Sequence, residues 1–183
     1  SMKDLPEELA KGLDAVAKFV SPSMSFPNGC HVSEVEVDPA TGEVQIVAYS
    51  SVNDVGRVVN PIIVRGQLDG GAVQGIGQAL LEEVVYDPET GQLLTGSLMD
   101  YAVPHADIMP SLFDTHTDES IPCKNNVLGV KGVGELGTIG ATPAVVNAVA
   151  DALARHGRAD LSPQLQMPLT PYRLWRLMQQ GLT

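Results

Sequence analysis

The sequence predicts an α+β fold, a mixed sheet with a β-hairpin packed against several long helices, one of them glycine-rich. Three observations carry this. Two segments that alternate apolar and polar residues flank the turn "PATG". Helical runs open on a polar residue followed by proline at Asn60-Pro61, Thr142-Pro143 and Thr170-Pro171. Strands and helices do not alternate in the βαβ order of a doubly wound parallel sheet.

In chain order, Leu5, Leu9, Leu13, Val16 and Val20 recur at helical spacing, with Asp4 as N-cap, which predicts an amphipathic helix over 4–20. Together with its linker this makes residues 1–22 a separate N-terminal piece. "HVSEVEVD" and "EVQIVAYSSV" form the hairpin. Asn60 caps a long helix running to about Glu83, and "VVYDPETGQLLTG" makes a short extended pair around a turn. Residues 98–126 are mostly irregular, with one strand near "SLFDTHT". Thr142-Pro143 opens a second long helix ended by Gly157. Thr170-Pro171 opens the last helix, ended by Gly181, with Leu174, Trp175 and Met178 on one face.

At 183 residues the chain is long enough for a real core, and with only 4% aromatic residues that core must be built from Ala, Val, Leu and Ile. A formal net charge of -11 with no basic cluster argues against nucleic acid and anionic membrane as partners. Cys30 and Cys123 have no metal-ligand spacing, and no apolar run approaches a membrane span, so a reduced, cytoplasmic setting is expected.

The helix "VRGQLDGGAVQGIGQALLEE" holds Gly66, Gly70, Gly71, Gly75 and Gly77, each up to about 1 kcal/mol worse than Ala in a helix interior. Close backbone approach to a neighbour or a ligand is the usual compensation. Gln67, Gln74 and Gln78 share a face with Gly70 and Gly71 and suit a polar ligand laid along the helix. A tightly packed core helix with its glutamines at a wet edge reads equally from spacing.

"KGVGELGTIGATP" raises a second choice. Gly132-x-Gly134-x-x-Gly137 has the form of a dinucleotide loop, but no good strand precedes it, the expected helix cap Thr142 comes too late, and no second strand follows. The other reading is a loop built to hold Glu135. Glycine N–H groups would approach a ligand closely, the helix start would add a positive end, and Val133, Leu136 and Ile139 would desolvate the carboxylate toward the range of a general base. A plain solvated turn has the same spacing.

"GQLDGGAVQGIGQALLEEVVYD", "GSLMDYAVP" and "LGVKGVGELGTIGATPAVVNAVADAL", in that order, resemble the C-terminal part of the molybdopterin-binding large subunit of the xanthine dehydrogenase, aldehyde oxidase and aerobic carbon monoxide dehydrogenase family. The resemblance covers most of the chain and marks residues 23–183 as the molybdopterin-binding unit. It implies that Glu135 is the general base beside the metal, acting on a molybdenum-bound hydroxyl that attacks an aldehyde, N-heterocycle or related substrate. It further implies cofactor contacts from Gln67, Gln74, Gly75, Gly77 and Gly134, with no protein side chain ligating the metal.

Complete large subunits are several times longer. The resemblance therefore implies partners: the upstream part of the large subunit, and iron–sulfur and flavin subunits or domains. The chain alone is expected to hold molybdopterin weakly and to be inactive. A non-enzymatic relic or interaction module keeping the family scaffold is the competing expectation. His31, His105, His116 and His156 read as structural or surface groups, and Asp54 and Arg57 as turn residues, an internal ion pair or a cap.

Overall fold

The computed structural model describes residues 16–180. Strand β1 (Asn28–Val37) and strand β2 (Val44–Asp54) form the expected antiparallel hairpin. Its turn is fixed by Asp38, whose carboxylate accepts from the Ala40 amide and the Thr41 hydroxyl, both at 2.8 Å. Gly42 completes it with φ 77°, backbone that favours glycine. Strand β3 (Leu112–Thr117) pairs parallel to β2, Ala48 opposite Leu112, giving the mixed order β1-β2-β3. An isolated bridge between Tyr86 and Leu93 closes the short extended pair.

Helix α1 (Pro61–Leu80) starts where expected, with the Asn60 side chain accepting from the Ile63 amide, and ends three residues short of Glu83. Helix α2 (Leu136–Arg155) begins seven residues before the predicted start at Pro143, so Pro143 lies inside it. Packing outweighs the proline, because the early turn is clamped against α1 (below). Helix α3 (Pro171–Met178) follows a 3-10 segment, Ala159–Gln164. Leu174 and Met178 are buried as expected, whereas Trp175 is 37% exposed and its backbone lies against Gly42. The predicted end of α3 at Gly181 lies outside the described residues, as does the predicted 4–20 helix as far as residue 15; Val16–Val20 are exposed and not helical.

α2 lies on β1, and α1 lies against α2. One core joins Ile46 and Tyr49 of β2, Ile76 and Leu80 of α1, Val145, Val149 and Leu153 of α2, Leu161, and Leu174 and Met178 of α3. By length and composition α2 could cross a membrane, yet here Ala141, Val145, Val149 and Leu153 are buried in this core. A second, smaller cluster of Val55, Leu68 and Leu136, backed by Val58, Val64 and Val133, packs where the glycine loop meets α1.

Candidate functional site

Most of the glycines of α1 have a structural reason that the ligand reading did not anticipate. Contacts advance together along α1 and α2: Leu68 and Gly71 with Gly137, Gly71 with Thr138, Gly75 with Ala141. A Cβ on Gly137 would stand 2.5 Å from the Leu68 carbonyl, and one on Gly75 would stand 2.8 Å from the Ala141 Cβ. The Thr138 hydroxyl donates to the Gly71 carbonyl at 2.9 Å and lies 3.2 Å from Gln74 Oε1. Thr142 repeats the arrangement one turn on, with Gly75 and Gln78. Gly77 is closed off by Glu82 and Pro104. Gly75 and Gly77 therefore face protein, and what they admit is the neighbouring backbone.

Gly66 and Gly70 are different. A Cβ at either, or at Gly132, would meet nothing within 4 Å, and one at Gly134 would meet only Gln67 Oε1, at 3.8 Å. Gln67, Gly70 and Gln74 are exposed on α1, and Gln67 lies beside Gly134, the residue before Glu135. Glu135 is the N-cap residue of α2, its side chain making no capping bond, and it is exposed. Val133 and Leu136 pack toward Val55 and Leu68 instead of around the carboxylate, and Ile139 is 66% exposed. Val133, Leu136 and Ile139 therefore do not supply the desolvation expected of them.

The loop that carries Glu135 is fixed from behind. The Lys131 amide donates to the Val55 carbonyl at 2.8 Å, and the Arg57 amide to the Gly129 carbonyl at 2.9 Å. Asn126 clasps Val130 by both its amide nitrogen and its oxygen. Gly56 and Gly129 both hold positive φ, which is what lets these segments meet. The Lys131 ammonium donates to Asp54 at 2.5 Å, which with the Gly56 amide holds the Asp54 carboxyl below the usual carboxylate range. The sequence reading offered Asp54 and Arg57 as an internal ion pair; the structure instead pairs Asp54 with Lys131, and Arg57 is exposed.

A polar network joins the sheet to α2. The Asn53 amide nitrogen donates to Ser51 Oγ at 3.0 Å and to the His116 carbonyl at 3.2 Å, which leaves Asn53 Oδ1 to accept from His31 Nε2–H at 3.1 Å. His31 Nδ1 then accepts from the Tyr49 hydroxyl at 2.5 Å. The imidazole fills the space over Gly140, one turn beyond Glu135. His31 is a structural group, as the sequence suggests, while Lys131 and Gly66 are not among the residues that the sequence marks for the site, and Gly70 is placed there on one face with Gly71. The missed signal was i, i+4 spacing, which sets Gly66 and Gly70 on a different flank from Gly71 and Gly75.

A family profile described as the molybdopterin cofactor-binding domain matches residues 3–110, more than half of the chain. The chain belongs to that family. The matched stretch includes all of α1 with Gln67 and ends before the Glu135 loop. Relatives extend through that loop. The gamma subunit of the 6-hydroxypseudooxynicotine dehydrogenase complex of Paenarthrobacter nicotinovorans is 40% identical over 92% of this chain and 20% of its own length. The solved Cu,Mo-CO dehydrogenase superposes with a TM-score of 0.85 at 32% identity, over 97% of this chain and 22% of that one. Quinoline 2-oxidoreductase from Pseudomonas putida 86 gives 0.72 at 40% identity, over 82% of this chain and 18% of that one. The α+β molybdopterin-binding unit is therefore part of a large subunit of the xanthine dehydrogenase, aldehyde oxidase and CO dehydrogenase family, spanning about a fifth of the relatives' length.

The residues present fit molybdopterin as one wall of its site. The bare strip of Gly66, Gly70, Gly132 and Gly134 leaves room for a bulky group, and Gln67 brings amide donors and an acceptor. Among the described residues no three His, Cys, Asp or Glu gather into a metal-binding cluster.

Proposed function

We propose that this chain is the part of a molybdenum hydroxylase large subunit that presents Glu135 as proton acceptor and Gln67 as cofactor contact, for hydroxylation of an aldehyde, an N-heterocycle or a related small molecule. The meeting of Gln67 with Gly134 on a face of bare glycine backbone carries this reading. Relatives named for a nicotine derivative, quinoline and carbon monoxide support a small-molecule substrate.

When bound, molybdopterin supplies the two-electron redox chemistry. The chain's own residues bind, orient and take a proton. Gly66, Gly70, Gly132 and Gly134 admit the group to the backbone, and the Gln67 and Gln74 amides orient it. The N-terminus of α2 offers the positive end of its dipole to its anionic part. Glu135, held by the Lys131 anchor behind and Leu136 below, accepts the proton on its carboxylate. Gly75 and Gly77 serve indirectly, by letting α2 and the Pro104 segment close on α1.

Because Glu135 is exposed and one wall alone is present, the isolated chain is inactive. The upstream part of the large subunit closes the site, and iron–sulfur and flavin domains or subunits remove electrons, in a cytoplasmic complex. Affinity capture from native cells through a tag on this chain tests the reading. Molybdenum recovered together with the upstream sequence supports it. Capture of the chain alone, free of molybdenum, would favour a non-enzymatic scaffold instead.

A further inference from the structure

β3 joins β2 only from Ala48 onward, so Val44–Ile46 pair with β1 on one side, Val47 is the extra residue of a β-bulge opposite Glu34 and Val35, and the other side of this stretch has, among the described residues, no strand. The Asp38 amide donates to the Glu43 carbonyl at 2.9 Å, which sets the phase of the ladder. Hydrogen-bonded and non-bonded positions alternate in an antiparallel pair, so Gln45 turns its backbone groups toward β1. The N–H and C=O of Val44 and of Ile46 consequently point away from it.

These four groups open into a groove of about 810 Å³. Leu80, Ile108, Met109 and Leu169 form its apolar walls, and Glu43 and Asp107 line it as well, both exposed. An unpaired backbone edge beside an apolar trough is what an extended peptide needs, the main chain supplying affinity and alternate side chains filling the trough. Four residues of strand span about 13 Å. Two carboxylates call for a basic side chain on the incoming segment. A second copy of this chain would bring its own Glu43 and Asp107 against the same acids.

We propose that the edge of β2 at Val44–Val47 receives an added strand from the part of the large subunit outside this chain: an extended segment with alternate apolar side chains and a Lys or Arg facing Glu43 and Asp107. The source rests on the reading above, in which the chain matches only 20% of the length of a relative such as the dehydrogenase gamma subunit.

The test uses overlapping 15-residue synthetic peptides covering the rest of that gamma subunit, added to the ¹⁵N-labelled chain, with amide exchange read by NMR. At least one peptide bearing apolar alternation and a basic residue is expected to slow exchange at Val44 and Ile46 tenfold or more, leaving Gln45 unchanged. The double variant Glu43→Lys/Asp107→Lys, whose fold is checked by its unchanged spectrum elsewhere, should lose that protection. The proposal is overturned if no peptide protects those two amides, if Gln45 is protected equally, if the double variant binds as well, or if raising the chain's own concentration protects the edge. The readout involves no molybdenum, so its failure leaves the Glu135 reading standing, and a metal-free capture leaves this result standing.

Discussion

Lys131 and Asp54 form an ion pair 2.5 Å long whose side chains are 10% and 20% exposed, and it ties the glycine loop before α2 to the end of β2. Removing one partner leaves a largely buried charge without its counterion. Lys131→Met is expected to destabilise the chain by roughly 3 kcal/mol, and the double variant Lys131→Met/Asp54→Asn to recover much of the loss. Chemical denaturation measures both. Because the Asp54 carboxyl is held below its ordinary value, its contribution is full above about pH 3.8, the unfolded value, and is lost as pH falls through the folded one. A double variant whose loss equals the sum of the two single losses would show that the pair does not act as a unit.

The two kinds of glycine in the helix pair separate by substitution. Gly137→Ala places a methyl 2.5 Å from the Leu68 carbonyl and 2.7 Å from the Ala72 amide nitrogen, backbone that cannot swing aside. It should cost about 1–3 kcal/mol despite its gain in helix propensity. Gly70→Ala meets nothing within 4 Å and should stabilise the chain by up to about 1 kcal/mol. In the assembled enzyme that same Gly70→Ala should reduce molybdenum content, since it fills the bare strip. Thermal melting of the chain and metal analysis of the complex read the two effects separately.

His31 gives the chain an acid-sensitive seam. Burial, the larger influence, lowers its pKa below 6.5 although the Asn53 hydrogen bond pulls the other way. The folded state therefore takes up this proton later than the unfolded chain, and stability is full above pH 6.5 and declines as pH falls below it. Melting temperatures between pH 8 and pH 5 should show that decline, and His31→Gln should flatten it. An unchanged slope in the variant would remove His31 as the cause.

The hairpin was legible because its alternation and "PATG" turn are local signals, and the start of α1 because Asn60-Pro61 is a cap in sequence as in structure. The start of α2 was not. Thr142-Pro143 carries the same signal, but Gly137 packs against α1, and a non-local contact moved the boundary seven residues. The spacing of the α1 glycines allowed both a tightly packed helix and a ligand-facing one, and the contact with α2 and the Pro104 segment gives Gly71, Gly75 and Gly77 to the first. The partnership of Lys131 with Asp54 spans 77 residues and leaves no periodic trace. Gln67 and Glu135 were visible as motif residues, while the approach of Gln67 to Gly134 needed the fold.

The most direct test of the central claim is turnover per molybdenum in the assembled enzyme carrying Glu135→Gln. The amide keeps the shape of the side chain but cannot accept the proton. A fall of about 10²–10⁴-fold in kcat at unchanged molybdenum content is the predicted result. Turnover per molybdenum equal to that of the unaltered enzyme would contradict the role given to Glu135.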